Sequence, residues 1–213
     1  GNRESESNLR LARYLKDFLK SCGAKVLMTR DSDRDIDLET RSKIANSNNA
    51  NMFVSIHHNW SPRYTAQATT IWYHGNPDHN PASMDLARYI FGEFTQKIPM
   101  QEMDKAMGLK SDKLIYQTGF AVLRHLSGEF PGVLCELAYF SNLETELKMR
   151  DSTFLKQEAY GVFLGIAKYV YAGIPSYKIL TSLEKIESDT KVEFEVKIFD
   201  GLEERKEWGS NRA

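Results

Sequence analysis

The chain has 213 residues, of which 41% are hydrophobic and 27% are charged, a composition typical of a soluble globular protein. Its formal net charge of -1 provides no basic field to attract nucleic acid, and its longest apolar stretch, residues 160–174, is interrupted by Lys168 and is too short to span a bilayer. We therefore expect neither a nucleic-acid partner nor an integral membrane protein, and a monomer is the default expectation.

The first half of the chain alternates predicted helices and strands. Apolar side chains recur at helical spacing in two segments, and a short β-rich run follows each of them. These elements are, in chain order, helix 5–22, strand 24–29, helix 38–46 and strand 51–57. Gly23 ends the first helix, and Asp37 is a suitable N-cap for the second.

The second half continues this alternation. The predicted elements are a β-rich run at 69–74, a helix with Ser83 as its N-cap, a buried strand at 131–137 and a helical region at 143–172 that could be broken in two. Within that last region the predicted core residues are Phe154, Phe163, Leu164 and Val170.

Strands that alternate with helices predict an α/β fold, with a mostly parallel or mixed twisted sheet flanked by helices on both faces. In such sheets, ligands bind at the carboxyl ends of the strands. His57 and His58 end one predicted strand, and Glu136 lies near the end of another. We therefore expect these three side chains in one layer of the molecule.

The C-terminal part of the chain has a different pattern. Apolar and charged residues alternate over 192–198, which predicts a strand with one solvent-exposed face, and Asp200-Gly201 is a turn signal. We predict a main domain over residues 1–176. Residues 177–213 form a short β-rich extension, either a β-hairpin or the start of a further module.

The strand ends raise two chemical questions. Successive side chains of a strand point to opposite faces, so only one of His57 and His58 can project into a given site, and parity does not decide which one. Glu136 lies within the apolar run GVLCELAYF, where an ionised carboxylate needs a partner. A metal ion or its bound water could be that partner, and so could a buried arginine such as Arg124.

Four stretches of the chain, in order, resemble the zinc-dependent N-acetylmuramoyl-L-alanine amidases of the amidase_3 type. ESESNLRLARYL resembles the family's first helix, E-K-D-x-N-L-x-x-A, and TRDSDRDIDLETRSKIAN resembles its T-R-x-x-D…L-x-x-R-x-x-x-A-N segment. NMFVSIHHN is similar to F-x-S-I-H-x-N, and PGVLCELAYFSN is similar to P-x-V-L-V-E-x-G-F-x-S-N. The resemblance covers roughly residues 4–172, and four ordered motifs are far more specific than one.

The resemblance implies a Zn²⁺ site. His57 matches the zinc-binding histidine, and Glu4 matches the ligating glutamate, with Glu6 as the alternative if the register slips. The family's first ligand is the histidine of a D-P-G-H-G-G motif that precedes the first helix. No histidine precedes His57 in this sequence, so the third ligand is expected from a histidine upstream of Gly1.

The resemblance also implies the reaction and the place where it occurs. Glu136 matches the catalytic glutamate, which would act as general base on a zinc-bound water. The expected substrate is peptidoglycan, cleaved at the amide between N-acetylmuramic acid and L-alanine. The expected location is therefore outside the cytoplasm: the periplasm, the cell wall or the medium. This location follows from the resemblance alone, because this sequence shows no signal peptide.

Other residues near the strand ends are candidates for binding substrate. The residues that follow the zinc-binding histidine are expected to line the cleft; they are His58, Asn59 and Trp60. Aromatic side chains that could stack on sugar rings, although packing of loops is their more common role, are Trp60, Tyr64, Trp72 and Tyr73. If the first zinc ligand is truly absent, the alternative is a catalytically inactive protein of the same fold that binds peptidoglycan or a partner.

Overall fold

The computed structural model describes residues 4–76, 80–98, 108–172, 176–179, 196–200 and 203–204. The helices in these ranges are α1 (Glu4–Ser21), α2 (Leu38–Ser47), α3 (Ala82–Lys97), α4 (Ala121–Arg124), α5 (Leu143–Arg150) and α6 (Ser152–Ala172), with a 3₁₀ helix at Asp112–Leu114. The strands are β1 (Phe53–Asn59), β2 (Thr70–Tyr73), β3 (Gly108–Ser111), β4 (Gly132–Tyr139), β5 (Ser176–Ile179), β6 (Val196–Asp200) and β7 (Glu203–Glu204).

The main sheet is open and mixed, with the strand order β1-β4-β2-β3. β1 is parallel to β4, β4 is antiparallel to β2, and β2 is parallel to β3. Helix α1 packs against β1, and α3 packs against β2, β3 and β4. The structure therefore confirms the predicted α/β class and the mixed sheet.

The strands of the main sheet run in both directions, so some of their carboxyl ends lie at one end of the strand axis and the others at the opposite end. The carboxyl ends of β1 and β4 meet at one edge, which we call the site edge. Because β2 runs against β4 and β3 follows β2, the carboxyl ends of β2 and β3 lie at the other edge, which we call the opposite edge. The sequence predicted β1, β2 and β4, but neither β3 nor this reversal.

One face of the sheet carries both an apolar cluster and the candidate site. Phe53, Trp72 and Leu134 are buried on this face together with residues from α2 and α4. Because strand side chains alternate between faces, His57 projects from the same face as Phe53, and Glu136 from the same face as Leu134. The apolar cluster thus fills the face up to the point where the polar side chains begin.

Helices α3 and α6 lie very close together. A Cβ atom at Gly165 would collide with the backbone of Ile90, so glycine is required there for the two helices to approach. Helix α3 is also tied to the start of β4, because the backbone N–H of Gly132 donates to Ser83 Oγ at 3.0 Å.

Three local predictions were wrong. Residues 24–29 form no strand, because none of the described residues offers them a hydrogen-bonding partner strand. Ser83 lies inside α3 rather than at its N-cap, which is Pro81. Val170 is exposed rather than part of the core. The predicted break in the last helical region is confirmed, because α5 ends at Arg150 and α6 begins at Ser152.

The chain divides into two compact units, Gly1–Ala167 and Lys168–Ala213. In the second unit, β5, β6 and β7 form an antiparallel sheet in that order. The predicted alternating strand is described only from Val196 onward, and Gly201 of the predicted turn lies outside the described residues. The proposed boundary at residue 176 stays a prediction.

Candidate active site

His57 and Glu136 are direct neighbours across the β1–β4 pairing. Their Cα positions are register partners in this parallel pair, at the site edge. The register shifts just beyond them, between His57 and Asn59, so that Asn59 pairs with Tyr139. Such irregularities re-aim side chains near strand ends. The pairing answers the question that parity left open, because His57 and Glu136 lie on the same face whereas His58 lies on the other.

Glu4 reaches this pair from the first turn of α1. Its Oε1 atom lies 3.3 Å from His57 Nδ1. It also accepts hydrogen bonds from Asn8 Nδ2 at 3.0 Å and from the backbone N–H of His58 at 3.3 Å. Burial opposes ionisation, but the hydrogen bonds from His57 and Asn8 outweigh it and lower the pKa of Glu4. Glu6 is exposed, so Glu4 is the glutamate of this helix that joins the site.

Ser55 fixes the orientation of the His57 ring. It lies two residues earlier on the same face of β1, is buried, and places its Oγ 3.1 Å from His57 Nε2. The hydrogen bond to Glu4 requires a proton on Nδ1. In the other tautomer, with the proton on Nε2 donated to Ser55, Nδ1 would instead be free to bind a metal beside the Glu4 carboxylate.

Glu136 is the unusual group of the site. Its Oε2 atom is buried and makes no hydrogen bond with the described residues. Burial raises the pKa of Glu136 to about 7; the nearby imidazole of His57 acts in the other direction, and the charge of Glu4 adds to the rise. Arg124 is not its partner, because that guanidinium donates to the carbonyl oxygen of Gly119 at 3.0 Å. A carboxyl group with a pKa near neutrality can both accept and donate a proton.

The donor set suits a divalent metal only in part. One carboxylate and one imidazole, from Glu4 and His57, are ligand types that zinc accepts. The buried carboxyl oxygen Oε2 of Glu136, on the strand paired with that of His57, has no hydrogen-bond partner among the described residues. Within the described residues, no group of three or more His, Cys, Asp or Glu side chains is arranged so that it could hold a metal ion. A third protein ligand would have to come from outside those residues.

The structure corrects the expectation for His58. It is 2% exposed, and its ring makes contacts only inside the protein, with Asn8 Oδ1 at 2.6 Å and Glu158 Oε2 at 3.2 Å. A side chain buried in this way does not line a cleft, so the predicted contact with substrate was wrong. His58 is instead part of a buried polar cluster with Asn8 and Glu158.

The other predicted substrate-binding residues differ in how far their side chains are exposed to solvent. Asn59 Oδ1 accepts a hydrogen bond from the backbone N–H of Trp60 at 2.8 Å, so it shapes the turn after β1. Trp60 is 59% exposed and Tyr64 is 71% exposed, both close in sequence to the site edge. Their binding of sugar rings stays a prediction. Trp72 is buried and packs edge-on against Phe120, so the idea that it stacks on sugar was wrong.

The sequence-based prediction missed three residues of this region. Ser55 could have been found from its parity with His57, and Asn8 from its position one helical turn after Glu4. Glu158 lies 100 residues from His58 in sequence. Its signal was weaker: an acidic residue on the apolar face of a long helix, beside buried Leu155.

Comparison with solved structures defines the class of fold. The chain superposes on the catalytic domain of CwlV, an N-acetylmuramoyl-L-alanine amidase from Bacillus (Paenibacillus) polymyxa var. colistinus, with a TM-score of 0.66 and 29% identity. The match covers 79% of this chain and 86% of that domain. A family model described as Amidase_3, N-acetylmuramoyl-L-alanine amidase, matches residues 1–168. The chain belongs to the amidase_3 family.

Curated relatives agree with this assignment. The chain is 28% identical to the N-acetylmuramoyl-L-alanine amidase AmiC of Escherichia coli in an alignment that covers 80% of this chain and 48% of AmiC. It is 25% identical to the germination-specific N-acetylmuramoyl-L-alanine amidase of Bacillus subtilis in an alignment that covers 78% of this chain and 70% of that protein. The chain thus spans about half the length of AmiC.

Proposed function

We propose that the protein hydrolyses the amide bond between N-acetylmuramic acid and L-alanine in peptidoglycan, with Glu136 as general base and a zinc ion held by Glu4 and His57. The observation that carries this proposal is the meeting of Glu4, His57 and Glu136 at the site edge of an amidase_3 chain. The three residues come from α1, β1 and β4, and the resemblance had assigned roles to the same three.

The zinc ion completes the proposed site. Catalytic zinc sites generally use three protein ligands, so the proposal requires one more ligand from outside the described residues, and the family motif predicts a histidine. When bound, zinc would polarise the scissile carbonyl and favour deprotonation of the attacking water.

Glu136 would perform the proton transfers. With a pKa of about 7 in the metal-free protein, its carboxyl group exchanges protons near neutrality. The ionised form would take a proton from the attacking water, and the protonated form would then pass it to the amine of L-alanine as the amide C–N bond breaks. The buried, unpartnered Oε2 atom supports this role, because no described residue already occupies it.

The substrate implies where the protein acts. Peptidoglycan lies outside the cytoplasmic membrane, so we propose an extracytoplasmic location. No helix in the described ranges combines the length and apolar character needed to cross a bilayer.

Substitution of Glu136 by glutamine tests the catalytic assignment. Glutamine keeps the size of the side chain but cannot accept the proton, so Glu136→Gln should fold, retain zinc and lose hydrolysis by at least about 100-fold. The assay is the release of stem peptides with a free N-terminal L-alanine from purified peptidoglycan. The matched control is Glu144→Gln, which neutralises an exposed carboxylate paired with Lys148 and should keep full activity. Comparable turnover by Glu136→Gln would remove Glu136 from the catalytic role.

A second function is a protein of the same fold that binds peptidoglycan without cleaving it. The observation that favours it is that the described residues bring together two metal donors rather than three. Zinc analysis of the full-length protein separates the two functions. Near-stoichiometric zinc together with release of peptide supports the amidase, whereas binding to peptidoglycan without zinc supports the non-enzyme.

A further inference from the structure

Four polar side chains form a hydrogen-bonded chain that begins in the interior, on the side of β1 opposite His57, and ends at Glu4. They are Glu158, His58, Asn8 and Glu4, and we call them the buried relay. The side chains of His58 and Glu158 have no exposed surface, and Asn8 is also buried. The relay connects α6 to the first turn of α1 through the end of β1.

The hydrogen bonds of the relay have a defined direction. Glu4 Oε1 is held by the Asn8 amide at 3.0 Å, and an ionised carboxylate can only accept, so Asn8 must present its NH₂ group to Glu4. Asn8 Oδ1 then faces His58 Nδ1 at 2.6 Å and requires that this nitrogen donate. The other ring nitrogen, Nε2, lies 3.2 Å from Glu158 Oε2. The donors of His58 Nδ1 and Asn8 therefore both point along the chain toward Glu4.

The relay leaves one side of the Glu4 carboxylate free. Oε1 receives hydrogen bonds from the amide of Asn8 and the backbone N–H of His58 and also lies 3.3 Å from His57 Nδ1, whereas no hydrogen bond joins Oε2 to the described residues. Two donors on one oxygen fix the rotation of the carboxylate. The partners of a ligating carboxylate orient it and tune its affinity for the metal.

The relay lowers the stability of the fold, which indicates that it is retained for a function. Glu158 is fully buried, and its Oε1 atom has no hydrogen-bond partner among the described residues. Leaving a buried carboxylate oxygen unpaired is destabilising, and apolar side chains of similar volume often replace buried ion pairs without loss. Neither His58 nor Glu158 faces the site, so neither touches the substrate.

We propose that His58, held by Glu158, is a positioning residue that sets the Glu4 carboxylate for the metal through Asn8. This inference rests on the proposed function, because it assumes that Glu4 binds the ion. It assigns a role to the histidine that follows the zinc-binding one. The effect should appear as metal affinity in folded protein rather than as stability alone.

The test compares zinc dissociation constants, measured by chelator competition in the full-length protein, with fold and stability followed by circular dichroism. His58→Leu removes the donor to Asn8 and should weaken zinc binding about 10- to 100-fold, the usual effect of losing an outer-shell partner. Asn8→Ala removes the hydrogen bond from Asn8 to Glu4 but leaves the buried pair of His58 and Glu158 in place. It should give a similar loss of zinc affinity, so it carries the test if His58→Leu does not fold. Glu158→Gln can still hydrogen bond to Nε2 and should stay near wild type.

A matched control separates positioning from general destabilisation. Ser42 is buried in α2 and donates to the carbonyl oxygen of Val122 at 2.9 Å, away from the relay. Ser42→Ala should lower stability but leave zinc affinity unchanged. Folded His58→Leu or Asn8→Ala with wild-type zinc affinity would overturn the inference. A wild-type protein that binds no zinc would instead contradict the proposed function itself.

Discussion

The two edges of the sheet each bring a histidine close to a buried carboxylate, but they treat the carboxylate differently. At the opposite edge, Asp112 is fully buried and its two oxygens are shared among His74 Nδ1 at 2.9 Å, the backbone N–H of Gly75 at 3.1 Å and that of Phe120 at 2.8 Å. At the site edge, Glu136 Oε2 is buried and has no partner among the described residues.

This difference distinguishes a carboxylate that stabilises the fold from one that is free to take part in a reaction. A buried carboxylate whose hydrogen bonds are satisfied holds loops together, because removing it would strand several backbone donors. A buried carboxylate left unsatisfied costs stability and is retained where a substrate, a water or a metal completes it. On this comparison Asp112 belongs to the fold, whereas Glu136 is available for the role in the reaction that we propose.

The largest expected effect on stability concerns the opposite edge. Asp112→Ala strands the N–H groups of Gly75 and Phe120 together with the ring of His74, so we expect a loss of about 3 kcal/mol in the free energy of unfolding. Urea unfolding measures it. Hydrolysis per folded molecule should remain at the wild-type rate. A variant that stays folded but is inactive would show that this edge takes part in the chemistry.

A second prediction concerns the stability of the site edge as a function of pH. The pKa of Glu136 is about 7 in the folded protein against an ordinary value of 4.5. The stabilising contribution of Glu136 to the free energy of unfolding is therefore fully present below pH 4.5. It is lost as the pH rises through 7, because ionisation in the buried site is unfavourable. Glutamine does not ionise, so Glu136→Gln should stabilise the metal-free protein by about 2 kcal/mol at about pH 8.

The same variant should have little effect on stability at about pH 4.5, where Glu136 is protonated in the folded protein. The measurement is urea unfolding in the presence of a chelator at both pH values. Equal stability of the variant and the wild type at the higher pH would mean that Glu136 has a partner, and the contrast between the two edges would be lost.

The smallest expected effect concerns Ser55. Loss of its hydroxyl group frees the His57 ring to rotate, so Ser55→Ala should weaken zinc binding about tenfold and change the fold little. Chelator competition measures this loss. Unchanged affinity would show that the ring is oriented without the serine.

The sequence predicted the site better than it predicted its surroundings. His57 and Glu136 lie near the carboxyl ends of their strands, and parallel pairing brings such strand ends together, so their meeting could be predicted from the sequence alone. The direction of β2 could not, because an apolar run carries no sign of which way its strand runs. For that reason Trp72 and Tyr73 were expected near the site, although Tyr73 pairs with Val133 toward the opposite edge.

The buried relay shows a further limit of sequence-based prediction. Parity placed His58 on the face opposite His57 but did not say what covers that face. The answer comes from Glu158, 100 residues away on α6, through packing of a helix whose position depends on the whole fold. A contact of this kind leaves no local pattern in a single sequence.

Anomalous diffraction at the zinc absorption edge, from crystals of the full-length protein, shows whether Glu4 and His57 hold a zinc ion. We expect one strong peak about 2.0–2.2 Å from a Glu4 carboxylate oxygen and from a His57 ring nitrogen, with the Glu136 carboxyl beside it but not bound to the ion. A peak held by other residues, or no peak between Glu4 and His57 in zinc-loaded crystals, would contradict it.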